Sequence, residues 1–138
     1  DEMREWLSPN EDFSRSSINK HNKKVVNLAK LLLDHNVPVC VSKINPFVED
    51  REDARKILKN HNFIQVYIKC SLDSCEKRDV RGMYKKARIN EINNFIGIHV
   101  DYEPPINPEL VVDTENSPID NSVQIILDYL NESKLIKT

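Results

Sequence analysis

Short runs of β-branched and apolar residues alternate with segments of helical period along this chain, and that alternation restricts its fold more than any other feature. Over residues 16–35, Val25, Leu28, Ala29, Leu32 and Leu33 follow i, i+3, i+4 spacing while Asn22, Lys23, Lys24 and Lys30 fill the other faces. The pattern predicts an amphipathic helix. Ser14, Ser16 and Ser17 are candidate N-caps, and Asn36-Val37-Pro38 stops the helix. Residues 37–44 (VPVCVSKI), closed by Asn45-Pro46, read as a buried parallel strand. A helix over 48–60 carries Ala54, Ile57 and Leu58 on one face, FIQVYIKC at 63–70 forms the next strand, and another helix runs over 72–78. A short strand at 110–112 and an amphipathic helix at 119–130, with Val123, Ile125, Ile126 and Leu130, complete the series. Such alternation implies βαβ units, so the expected class is α/β with a parallel sheet flanked by helices. With 138 residues, 39% hydrophobic and 30% charged, the expectation is a single domain over 1–138.

Residues 79–107 interrupt the alternation. They hold Arg81, Lys85, Lys86 and Arg88 beside Gly82 and Tyr84, then Phe95, then Pro104, Pro105 and Pro108 just beyond. A connection this long inside a compact domain usually serves a function. A basic flap over the strand ends of an α/β phosphotransferase neutralises phosphoryl charge and excludes water, so a lid is expected here, with a solvated surface helix as the alternative.

Global charge excludes some partners. The 20 Lys and Arg against 22 Asp and Glu leave a net charge of -2, which gives no field toward nucleic acid or anionic membrane. No apolar run approaches the roughly 20 residues of a membrane span, and no secretory signal opens the chain, so the cytoplasm is the expected location. Cys40, Cys70 and Cys75 lack paired zinc or redox spacing and read as reduced structural thiols; no metal site is expected. Only Gly82 and Gly97 are present, so a GxxxxGK[ST] phosphate loop cannot form within these residues. Either an N-terminal strand and phosphate loop lie upstream of Asp1, or the protein never used one.

The order of several spaced motifs is more specific than any of them alone. Asp1-Glu2-Met3-Arg4, Phe13-Ser14, Ser42-Lys43-Ile44-Asn45-Pro46, Arg78-Asp79, Gly82, Tyr84-Lys85-Lys86-Ala87, Phe95, Gly97-Ile98, Tyr102-Glu103, Pro105, Asn107-Pro108-Glu109-Leu110 and Asp113-Thr114 succeed one another. This series resembles the adenylylsulfate kinases, P-loop enzymes that move the γ-phosphate of ATP onto the ribose 3′-hydroxyl of adenosine 5′-phosphosulfate. The resemblance covers nearly the whole chain and corresponds to the C-terminal part of the family, without its phosphate loop.

The resemblance implies a P-loop-kinase-like sheet with a basic lid, ATP and Mg²⁺ as the cosubstrate and its metal, and a site for two nucleotides. Phe13 and Phe95 would sandwich the acceptor adenine, a grip of about 1 to 3 kcal/mol per base. Arg4 would bind phosphosulfate or ribose, and Lys85 and Lys86 would act as mobile cations over the anionic groups, Lys86 in a catalytic role. Ile44 and Asn45 would meet the substrate at the strand end. Arg78, Asp113 and Thr114 would lie on the ATP side, and Asp1 would orient the 3′-hydroxyl or a Mg²⁺-bound water.

Departures from the family bear on the acceptor. Where a DRxEN pattern supplies an Arg and an Asn, the ungapped chain has Ile18 and His21. Losing that Arg removes a contact of about 1.5 to 3 kcal/mol, part of which His21 or Asn22 can replace. Adenylylsulfate kinase is therefore the leading expectation, with the 138 residues alone inactive and, lacking a first strand, marginally stable or prone to associate. The alternatives are a related kinase for another nucleotidyl acceptor and a non-catalytic nucleotide-binding domain. Expected partners are small nucleotides, without nucleic acid or membrane, and a homodimer is left open.

Overall fold

The computed structural model describes residues 2–136. The chain divides into two compact units, one taking residues up to Phe63 together with Lys86–Pro104, the other Ile64–Lys85 together with residues from Pro105 onward. Each unit is described by itself.

In the first unit, α1 (Glu2–Leu7) and α3 (Val48–Ile57) both pack on α2 (Arg15–Asp34). The Ser14 hydroxyl accepts from Ser17 N–H, so it is the serine that caps α2. At the other end Asn36 takes a left-handed φ of 61°. Its N–H reaches the Leu33 carbonyl and the Val37 N–H reaches that of Leu32, a Schellman closure that stops the helix where the sequence predicts. Ile18, Val25 and Ala29 of α2 face Phe47, Ala54 and Leu58 from α3 and its flanks, and all are buried. Ala54 and Leu58 are i, i+4 neighbours on the apolar stripe expected for α3.

Residues 37–44 correct one expectation. They form no paired strand among the described residues, and Val37, Val41 and Ile44 are exposed. A β-branched run fits a pleated surface, but a strand exists only where a neighbour takes its N–H and C=O groups. No described strand lies beside this run.

In the second unit, β1 (Val66–Lys69) and β2 (Leu110–Asp113) pair in parallel, with Val66 opposite Leu110 and Lys69 opposite Asp113. Val112 is completely buried while Val111 and Asp113 on the other face are exposed, as a period of two requires. α6 (Ile119–Glu132) packs on β2, and α4 (Leu72–Lys77) follows β1 directly. A parallel pair joined by a long connection and flanked by helices is the α/β arrangement the alternation implies.

The connection 79–107 contains a short helix, α5 (Met83–Arg88). Asp79 starts it, its carboxylate accepting from the Met83 and Lys85 N–H groups at 2.8 and 3.1 Å. Gly82 lies between them with φ of 66°, a conformation that favours glycine. The far end of the connection is clamped. Buried Arg51 donates to the carbonyls of Asn45 and Glu103, while the Glu103 carboxylate accepts from Val48 N–H at the start of α3.

Candidate active site

The residues singled out in sequence fall into distinct groups. On α1, Arg4 donates to the carbonyls of Glu11 and Asp12 and lays its guanidinium over the Phe13 ring, 4.2 Å from the centroid. Phe13 is still 54% exposed, so one aromatic face is held in place by a cation and open to a ligand. Its packing is not that of a core residue.

One turn of α2 further on, His21 Nδ1 meets the buried Ser8 hydroxyl at 3.0 Å. Burial lowers the imidazole pKa, and the charges of Lys43, Arg4 and Lys24 lower it further. His21 is therefore neutral at pH 7.

Asn22, buried beneath His21, uses its whole amide. Its Nδ2 donates to Asn45 Oδ1 at 2.9 Å and Asp50 Oδ2 at 2.7 Å, and its Oδ1 accepts from Lys43 Nζ. Flipping the amide would set its carbonyl against a carboxylate, so this orientation is fixed electrostatically. Asp50, whose side chain is fully buried, also accepts from Arg15 at 2.9 Å and Asn19 at 2.6 Å. Burial alone would raise its pKa, but the hydrogen bonds from Asn19, Arg15 and Asn22 and the Arg15 charge hold it below the usual aspartate value. Arg15 in turn reaches Glu49 and covers the Phe47 ring at 3.9 Å. Beside Asn45, the Ile44 side chain is 65% exposed.

Sequence reasoning missed Asp50 and Lys43. Asp50 stands at i−4 and i−8 from buried Ala54 and Leu58, so a carboxylate on an apolar stripe was the available signal. A lysine within an otherwise apolar run was the signal for Lys43.

Lys85 and Lys86 sit on α5 with exposed side chains, and as i, i+1 neighbours they point away from each other. Phe95 is half-buried in a turn whose carbonyl accepts from His99 N–H, while Phe95 N–H donates to His99 Nδ1. Asp1 lies outside the described residues.

In the second unit Arg78, Asp113 and Thr114 come together at the C-terminal ends of the two strands. Arg78 donates to the carbonyls of Thr114 and Glu115 at 2.9 Å each, Thr114 Oγ1 donates to the Lys69 carbonyl at 3.0 Å, and Asp113 pairs with Lys69 at 2.9 Å. Strand C-termini are where open α/β sheets bind ligands. Among the described residues no group of three His, Cys, Asp or Glu converges to hold a metal ion. No described helix is long and apolar enough to cross a membrane.

The family model of adenylylsulphate kinase matches residues 1–113. The chain belongs to the adenylylsulphate kinase family. Curated relatives agree: the adenylyl-sulfate kinase of Oceanobacillus iheyensis is 43% identical over 136 residues, covering 99% of this chain and 68% of that protein. The adenylyl-sulfate kinase of Staphylococcus epidermidis is 42% identical over 136 residues, again with 99% and 68% coverage. Among solved structures, the Mycobacterium tuberculosis APS kinase in complex with AMPPNP and APS superposes with a TM-score of 0.89 at 33% identity, covering 94% of this chain and 76% of that one. This adenylylsulphate kinase family member is thus a kinase-type transferase of the P-loop kinase fold. Its departures, Ile18, His21, Lys43 and Asn45, concentrate around α2 and the turn before α3. Ile18 is buried against the core and supplies no charge.

Proposed function

We propose that the chain binds adenosine 5′-phosphosulfate and presents its ribose 3′-hydroxyl to the γ-phosphate of ATP, giving 3′-phosphoadenosine 5′-phosphosulfate and ADP. The observation that carries this reading is the exposed Phe13 face held under Arg4, 4.2 Å from guanidinium to ring, on a cation-rich helix pair. Phe13 and Phe95 take the adenine by stacking, which needs no base-edge contact. Arg4 meets the phosphosulfate or ribose, and His21, Asn22, Ile44 and Asn45 border the acceptor. Lys85 and Lys86 supply mobile cations to the phosphoryl groups, with Lys86 the one that meets the transferring charge. Arg78, Asp113 and Thr114 belong to the ATP side, and Asp1 orients the 3′-hydroxyl.

Mg²⁺ in such chemistry is held largely through the nucleotide's own phosphates, with one or two carboxylates, and supplies charge neutralisation there. With two glycines the 138 residues contain no glycine-rich phosphate loop, so by themselves they are expected to bind acceptor without turning it over.

Calorimetric titration of adenosine 5′-phosphosulfate into the chain tests the reading. Saturable binding is expected, and it should be lost in the Phe13→Ala, Phe95→Ala double variant while the thermal transition stays cooperative. Unchanged binding in that variant removes the stacking roles; no binding by the unsubstituted chain removes the acceptor reading.

A further inference from the structure

Lys43 has an unusual setting. It stands in the turn before α3, half-buried, with its ammonium on the Asn22 carbonyl. An ammonium has three donors, and a neutral amide oxygen uses one of them without balancing the charge. The carboxylate in electrostatic reach, Asp50, has both oxygens engaged by Arg15, Asn19 and Asn22. The charges bearing on nearby His21, those of Lys43, Arg4 and Lys24, are all positive. Lys24 differs in that it leans on Glu11 at 3.6 Å and donates to the Leu7 carbonyl at 2.9 Å. Holding a cation partly out of water among other cations is costly unless an anion arrives. A purely structural role at Lys43 would be served as well by an uncharged side chain.

We propose that Lys43 is a substrate-binding residue that makes the acceptor pocket selective for a nucleotide with an anionic 5′ group, its ammonium joining Arg4 in receiving the 5′-phosphosulfate. This inference rests on the acceptor reading above.

Its signature is protonic. Burial lowers the Lys43 pKa, the Asp50 charge partly opposes this, and the Arg4 charge adds to it, leaving the ammonium at about 8. The other groups facing it keep their charge between pH 7 and 9: the Arg4 guanidinium stays positive, Asp50 stays anionic, and His21 is already neutral. Phosphosulfate has no proton to lose in that range. An anion bound at Lys43 therefore draws about half a proton into the complex at pH 8, and affinity falls as pH rises through about 8.

The experiment is calorimetry of the chain with adenosine 5′-phosphosulfate and with adenosine, at pH 8, in buffers of different ionisation enthalpy. The unsubstituted chain should bind the phosphosulfate with proton uptake. Lys43→Met should weaken that binding about 10- to 100-fold and remove the uptake while leaving adenosine binding unchanged. Lys43→Arg, permanently charged, should keep the affinity and lose the uptake. Binding by the unsubstituted chain without uptake, or equal affinity in Lys43→Met, overturns the role of Lys43 and leaves the acceptor reading standing; no binding at all overturns both. The uptake is read on the unsubstituted chain, so the test survives a variant that fails to fold.

Discussion

Two carboxylates organise two regions of this molecule, and they do so under opposite conditions. Asp50 is buried and holds Arg15, Asn19 and Asn22, with Lys43 within reach of its charge. Glu115 is half-exposed and accepts from neutral donors: Ser71 N–H at 2.8 Å, the Ser71 hydroxyl at 2.9 Å and the Ser74 hydroxyl. The first compensates cations in a place with little water; the second fastens the start of α4 to the end of β2. A carboxylate among cations marks where charge is being held for use, whereas one among hydroxyls and amides marks a joint.

If that contrast is right, Asp50→Ala produces the largest loss. It leaves Arg15 and Lys43 without their buried counter-charge, and removing one partner of such a pair costs about 3 kcal/mol, tempered here because Arg15 is partly exposed. Urea denaturation should show a lower midpoint with an unchanged slope. Adding Lys43→Met to Asp50→Ala should recover part of the loss, because it removes one uncompensated cation. A shift below about 1 kcal/mol would reduce Asp50 to a surface-like ion pair and erase the contrast.

Phe13→Ala should come next in size and act on a different observable. The ring is 54% exposed, so its removal leaves the urea midpoint nearly unchanged. Acceptor binding should weaken by about 1 to 3 kcal/mol, the range of one base-aromatic stack. A fall in stability with intact binding would make Phe13 a packing residue and move the site away from α1.

Legibility in the sequence followed the range of the interactions. α2 was readable from Val25, Ala29, the Ser14 cap and Asn36, because period and caps are local. β1 and β2 were placed to within a few residues, but 37–44 was misread, since composition reports fitness for a sheet and not the presence of a neighbour. α1 and α5, six residues each, are too short for period to show. In the site, Phe13, Arg4, Asn22 and Asn45 were picked out from motif order. Lys43 and Asp50 were not, because their meaning arises only when residues 15, 19, 22, 43 and 50 meet. Their spacing follows no local period.

The smallest effect is expected at Glu115, and pH is the variable that isolates it. Hydrogen bonds from Ser74 and Ser71 hold its carboxyl down at about 2. A carboxylate whose folded pKa is depressed adds stability that is fully present above its unfolded value and is lost as pH falls through the folded one. Glu115→Gln keeps the shape and removes the charge, so at pH 7 its thermal midpoint should lie slightly below that of the unsubstituted chain. Between about pH 5 and pH 2 the two midpoints should converge, because the unsubstituted glutamate is itself becoming neutral. A gap that stays constant down to pH 2 would mean that geometry alone fastens α4 to β2. A gap as large as that of Asp50→Ala would mean that the joint also carries buried charge, and the two carboxylates would then be doing the same work.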